Sequence, residues 1–240
     1  MRVLILTSST GGGHDMRARS LRAWAEHSEA AKHAIETEQL QVLEKTHGLY
    51  RFGVSLYNTI QRTWPRLHHV YFNVLEVAGL HTRPGRIRGR ERFIAQVRAF
   101  APDVVVSTHA HLNHGFFALA RGAMGARLRC ITYCGELYGR YGFSRHWVNP
   151  EADLFIGAVG ETVAEARRLG MPAGRARLGG FLLDPQFYEL PTREAAREHL
   201  EAATGLDPGR FTLLLATGAN AANNHLPLLK ALDEAGLRPQ

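Results

Sequence analysis

Residues 3–14 read Val3-Leu4-Ile5-Leu6-Thr7-Ser8-Ser9-Thr10-Gly11-Gly12-Gly13-His14, and a helical pattern follows to about His27. The apolar run Val3 to Leu6, closed by a glycine run, reads as a short buried strand. Three glycines let the backbone take dihedrals closed to other residues and approach a ligand closely. The helix behind them carries Leu21, Trp24 and Ala25, and its first turn offers free N–H groups and the positive end of a dipole. This strand–loop–helix unit suits an anionic or hydroxyl-bearing ligand, with Gly11, Gly12 and Gly13 lining its approach. His14 sits where the dipole favours the neutral imidazole, a candidate general base. The competing reading is a tight turn with a solvent-facing histidine. Positions 11–16 read Gly-Gly-Gly-His-Asp-Met, so the G-x-G-x-x-G fingerprint is absent, which argues against a nicotinamide cofactor.

Beyond this unit, apolar runs alternate with helical patterns. Strands are expected at Ile35 to Leu43, Asp103 to Ser107, Leu128 to Cys134, Leu154 to Ala158 and Arg177 to Leu178. Helices are expected at about Leu49 to Thr63, Leu67 to Ala78, up to Phe100, Asn113 to Ala123 and Glu161 to Leu169. Strands alternating with helices predict an α/β fold with a Rossmann-like, doubly wound parallel sheet. Asp184-Pro185 and Leu190-Pro191 break the pattern, which predicts a domain at 1–182 and a linker plus the incomplete start of a second domain at 183–240. In that second part a helix at Arg193 to Ala203, a strand at Phe211 to Ala216 and a helix at His225 to Ala235 are expected, around the turn Thr217-Gly218-Ala219-Asn220. One strand and two helices cannot bury a sheet of their own, so the expectation is a truncated chain.

Lysine plus arginine exceeds aspartate plus glutamate by 29 − 22 = 7, a balance that favours acidic partners without choosing among them. Cys130 and Cys134 are four apart in an apolar stretch, which suits reduced core thiols rather than a redox or zinc motif. No run of about twenty apolar residues predicts a transmembrane helix, and the N-terminus turns polar too early for a signal peptide. The expectation is a cytoplasmic protein that touches the membrane from that side.

Three further segments bear on chemistry. Thr108-His109-Ala110-His111-Leu112-Asn113-His114 follows a strand and looks like the H-x-H-x-x-H motif of metallo-β-lactamase-fold zinc hydrolases. Asn113 stands where that family has an aspartate, and no downstream ligand segments follow. The competing reading places these histidines along the ligand edge of a doubly wound sheet. From Tyr50 to Arg92, Tyr50, Phe52, Tyr57, Trp64, Tyr71 and Phe72 interleave with arginines and lead into the basic loop of Arg86, Arg88 and Arg90. Such a segment suits an anionic bilayer surface; inward-packed aromatics with merely solvated arginines fit the sequence equally. No nucleic-acid motif accompanies it, so nucleic acid is not expected as a partner. Glu136 lies just past a strand end, at the same ligand edge, and His146-Trp147 either lines a pocket or packs a short helix.

In order, these segments resemble the N-terminal domain of the monogalactosyldiacylglycerol synthase and processive diacylglycerol glucosyltransferase family, over about residues 1–218. The matching elements are the strand with Gly11-Gly12-Gly13-His14, the aromatic and basic helical region, and Pro102-Asp103 through Thr108-His109. His146-Trp147, Ala152-Asp153-Leu154-Phe155, Glu161-Thr162-Val163-Ala164 and Arg177-Leu178-Gly179-Gly180-Phe181 follow. The resemblance implies a glycosyltransferase of the GT-B fold, a hexosyltransferase of glycolipid biosynthesis. It would move a hexose from a UDP-sugar to diacylglycerol, peripheral to the inner face of the membrane. It further implies His14 as the base, Gly11, Gly12, Gly13, His109 and Glu136 at the donor and acceptor sites, and Trp64, Arg86, Arg88 and Arg90 at an anionic membrane. Neither a metal nor a prosthetic group is implied. Where family members carry an aspartate after the central strand, this chain has Gly135-Glu136. The alternatives are a non-catalytic anionic-lipid-binding module and a zinc hydrolase using His109, His111 and His114.

Overall fold

A computed structural model describes residues 1–27, 32–79, 81–140, 143–207, 209–216 and 225–240, without the side chains of Pro65 and His68. In chain order its elements are β1 (Arg2–Thr7), α1 (Gly13–Glu26), β2 (Glu36–Gln41), α2 (Val42–Thr46), α3 (Gly48–Thr63) and α4 (His68–Ala78). Then come α5 (Arg90–Phe100), β3 (Val104–Ser107), α6 (Gly115–Met124), β4 (Arg129–Cys134), β5 (Leu154–Gly157), α7 (Gly160–Arg168) and β6 (Ala176–Leu178). The helices α8 (Arg193–Thr204) and α9 (His225–Glu234) close the series.

All six strands are parallel, in the order β2-β1-β3-β4-β5-β6. Helices cover both faces, so the chain has the expected α/β doubly wound, Rossmann-like architecture. The period-two alternation of β1 shows how: Leu4 and Leu6 join the larger core with Phe93, Val105, Phe116 and Phe155. Val3 and Ile5 point the other way, to Ala18 of α1, Val106 and Tyr133. β2 carries Glu36, Thr37, Glu38 and Gln39, a composition that suits an edge strand with one face in water. At the far side Asp153 binds the Cys130 N–H at 2.8 Å and the guanidinium groups of Arg121 and Arg129 at 2.6 and 3.0 Å. Both cysteines are buried and free, and burial pushes the Cys130 thiol up to about 12.

Two expectations need correction. The second strand ends at Gln41, because Val42 and Leu43 turn into α2 and bury their side chains from a helix instead. No strand forms at Phe211 to Ala216. A strand needs a neighbouring ladder, and this segment exchanges backbone hydrogen bonds only with Gln240 among the described residues, at 3.1 and 3.2 Å; Phe211 and Leu214 remain exposed. The expected turn at Thr217 to Asn220 lies outside the described residues. The chain after β6 packs back on β4 and α1. Tyr133 donates to the Gly180 carbonyl and accepts from the Leu182 N–H, and the Trp24 indole donates to the Leu183 carbonyl.

Gly89 fixes where the basic loop meets α5. Its φ is +69°, and a Cβ there would fall on the Thr46 carbonyl of α2. Replacing it with alanine combines left-handed strain with a backbone clash. We expect Gly89→Ala to lower the unfolding free energy by about 3 kcal/mol in urea titration. Alanine at Gly85, where a Cβ would meet open space, should cost far less.

Candidate functional site at the β1–β3 crevice

The strand order reverses between β1 and β3, and ligands of open α/β sheets bind at the carboxyl ends of such strands. The glycine loop leaves β1 at this point and Thr108-His109 leaves β3. Gly11 and Gly12 both take positive φ, +68° and +78°, so the sharp entry into α1 depends on glycine there. Gly12 is the N-cap of α1, and no side chain caps the helix. Its first N–H groups therefore have no N-cap side chain as a partner.

Two residues from distant parts of the chain hold the loop still. Asn58 of α3 accepts the Gly11 N–H at 3.1 Å and donates to the Ser9 carbonyl at 3.2 Å. Glu44 of α2 accepts from the Ser8 hydroxyl, the Ser9 N–H and the Ser9 hydroxyl at 2.7–2.9 Å. Asn58 thus occupies the Gly11 N–H, which is not left for a ligand. Asp15, buried in the first turn of α1, accepts from Thr7 and Gln41 at 3.1 and 2.9 Å and ties the helix to β1 and β2.

His14 lies 2.7 Å from the Thr108 carbonyl through Nδ1. A carbonyl only accepts, so Nδ1 carries the proton and Nε2 keeps its lone pair. Burial lowers its pKa from 6.5 to about 4, Arg17 adds to the effect, and the Thr108 bond opposes it. Its ring is 4.3 Å from His109 and 5.8 Å from Trp147. His109 is fixed in the opposite tautomer. Its Nδ1 accepts the His111 backbone N–H at 3.2 Å, leaving Nε2–H to donate to Thr10 Oγ1 at 2.9 Å.

These groups border a cavity of about 450 Å³ whose other wall is α3 and α4, with Tyr50, Val54, Tyr57, Tyr71 and Leu75 facing in. That volume is within the range of small-molecule sites. Glu136 also lines it, 4.0 Å from Arg17. Among the described lining residues none is lysine or arginine. The structure thus brings His14, His109 and Glu136 together with Thr10 at the head of the glycine loop, while Gly11, Gly12 and Gly13 are not among the described lining residues. Trp64 and the arginines Arg86, Arg88 and Arg90 stand elsewhere, all on the surface; the Arg88 N–H is held by the Tyr50 hydroxyl at 2.9 Å. The aromatics of this region divide between the two sequence readings. Tyr50, Tyr57, Tyr71 and Phe72 line the cavity, Phe52 lines it at its mouth while staying largely exposed, and Trp64 is exposed away from it.

Histidines 109, 111 and 114 do not assemble a zinc site. His109 already uses both ring nitrogens, and no group of three or more His, Cys, Asp or Glu among the described residues is placed to hold a metal ion. Asn113, the position of the missing aspartate, instead donates to the Ala110 and His146 carbonyls at 3.0 and 3.1 Å. Sequence reasoning missed Asn58, Glu44 and Asp15, whose roles depend on contacts across the crevice. It also missed His81, which packs 4.8 Å from Tyr50 and lines the cavity. No protein-family model matches this chain, and no curated protein matches it. The reading of the site therefore rests on its geometry and on the order of the sequence segments.

Burial holds five imidazoles below the ordinary value: His14, His81 and His114 at about 4, and His109 and His111 well below 6.5. Their folded values lie below the unfolded one, so stability is full above pH 6.5 and is lost as pH falls towards 4. Each proton taken up on unfolding steepens the loss by about 1.4 kcal/mol per pH unit. Urea midpoints should therefore drop steeply between pH 6.5 and 5, above the carboxylate range. Midpoints that stay level across that interval would show that these rings are charged in the folded state.

Proposed function

We propose that this chain supplies the acceptor side of a glycosyltransferase that moves a hexose from a UDP-sugar to the hydroxyl of diacylglycerol, at the cytoplasmic face of a membrane, in glycolipid biosynthesis. The observation that carries the reading is a largely apolar cavity opening onto a neutral histidine whose Nε2 lone pair is uncommitted. An apolar wall receives acyl chains, and the ring beside it receives a proton.

In this reading the acceptor hydroxyl lies against His14 Nε2. As the alcohol oxygen attacks the anomeric carbon, its proton passes to Nε2, and the bond from that carbon to the diphosphate breaks, releasing UDP. The Thr108 carbonyl orients the ring and stabilises the imidazolium that forms, and the uncapped first turn of α1 favours the negative charge of the leaving group. His109 bears on Thr10 and thereby on the loop. Glu136 stands at the cavity wall near Arg17, where it can meet a hydroxyl of the sugar or of the acceptor. Gly11, Gly12 and Gly13 leave the approach to the loop open.

The outer surface supports contact with a bilayer. Leu67, Val70, Val74 and Val77 form an exposed stripe at helical spacing along α4, with 48–81% of each residue accessible. Trp64, exposed at the C-cap of α3, precedes the stripe, and Arg86, Arg88 and Arg90 add exposed cations. Among the described residues no helix is long and apolar enough to cross a membrane, so the proposed association is peripheral, with an anionic surface contributing about 1 kcal/mol per basic residue.

Two measurements test the reading. The full gene product, given radiolabelled UDP-hexoses and diacylglycerol in anionic vesicles, should form a labelled glycolipid, and His14→Ala should slow this by about 10²–10⁴-fold while lipid binding persists. A folded protein that binds lipid and UDP-sugar but transfers nothing would leave the non-catalytic lipid-binding module as the better account. Separately, Val70→Asp combined with Val74→Asp should abolish sedimentation with phosphatidylserine vesicles without changing the thermal midpoint; unchanged sedimentation would remove α4 from the membrane contact.

A further inference from the structure

Beyond His14 the cavity holds polar groups that the proposed transfer does not use. His81 is 9% exposed and lies against Tyr50 and Phe116, at ring distances of 4.8 and 6.0 Å. It faces His111 at 5.7 Å, and both line the cavity. Nε2 of His81 is buried and has no hydrogen-bond partner among the described residues. Buried polar groups of folded proteins are nearly always satisfied, so an unmade bond beside a cavity points to a partner that arrives with a ligand.

The chemistry of that partner is constrained. A neutral imidazole offers one donor and one acceptor, and burial keeps both rings neutral. The described lining contains no lysine or arginine to balance an anionic head group. Carboxylates and phosphates are therefore disfavoured inside the cavity, and uncharged oxygens are favoured. The rings of His81, His111, His109 and His14 follow one another at 5.7, 5.6 and 4.3 Å. An acylglycerol presents neutral oxygens in a comparable row, with ester carbonyls a few bonds from its free hydroxyl.

We infer that His81 and His111 form an ester-binding subsite, donating hydrogen bonds to the carbonyl oxygens of an uncharged acyl lipid whose hydroxyl lies at His14. This rests on reading the cavity as the acceptor site. It adds a selectivity: ester-linked over ether-linked lipids, and neutral over anionic ones.

Titration calorimetry with dioctanoylglycerol, its dioctyl ether analogue and dioctanoyl phosphatidate tests the inference without any need for turnover. The wild-type protein should bind the ester about tenfold more tightly than the ether, the difference expected of one or two ordinary hydrogen bonds, and bind phosphatidate most weakly. His81→Phe preserves the aromatic packing against Tyr50 and Phe116; with it, and with His111→Phe, ester affinity should fall to that of the ether while ether affinity stays within about twofold. If His81→Phe does not fold, His111→Phe alone, at a partly exposed position, reads the same preference. Equal wild-type binding of ester and ether, or a preference that survives in the folded variants, overturns the subsite and leaves the acceptor cavity standing. Absence of wild-type binding to all three lipids overturns both.

Discussion

Thr108 is the joint on which the site depends. Its N–H donates to the Leu6 carbonyl at 3.0 Å, its hydroxyl donates to the His14 carbonyl at 3.1 Å, and its own carbonyl receives His14 Nδ1 at 2.7 Å. One residue thus fastens the end of β3 to the end of β1 and to the first turn of α1. The tautomer of His14 follows from this, because a carbonyl partner leaves only Nε2 unprotonated. So does its position, since ring and backbone are held by the same residue. Without this joint the glycine loop would still be a turn, but the imidazole beside it would have no fixed direction.

The loop is restrained from the opposite side as well. Asn58 and Glu44 grip residues 8–11 from α3 and α2, and α3 also forms a wall of the cavity. The cavity and the loop are therefore built from shared parts. Tyr57, which faces the cavity, and Asn58, which holds Gly11, are neighbours on the same helix.

The fold was legible because its signals are local. Val3 to Leu6 and Val104 to Val106 are unbroken apolar or β-branched runs, and parallel strands buried on both faces take that form. His14, His109 and Glu136 were legible for a related reason: each lies just past a strand end, where the topology of any doubly wound sheet gathers ligand groups. Asn58 and His81 were not, because their roles come from α3 and the chain after α4 folding back over the crevice, and no spacing encodes that. The segment Phe211 to Ala216 misled for the converse reason. A run of apolar residues expresses a strand only where a neighbouring strand offers its edge.

The distribution of charge sharpens what the crevice can do. Arginine supplies most of the chain's basic residues, yet none lines the cavity among the described residues, and burial keeps its imidazoles neutral. Fixed positive charge is thus kept outside the cavity. The cavity offers hydrogen bonds and apolar surface, while the uncapped end of α1 and the nearby Arg17 offer fixed positive potential at its border. In the proposed transfer, the neutral acceptor would be held on one side of His14 and the anionic leaving group on the other. The histidine then works where the electrostatic character changes: a ring too weakly basic to be protonated in the resting site becomes a better proton acceptor once a diphosphate brings negative charge beside it. Base strength would rise only when both substrates are in place, which favours attack by the acceptor over idle protonation.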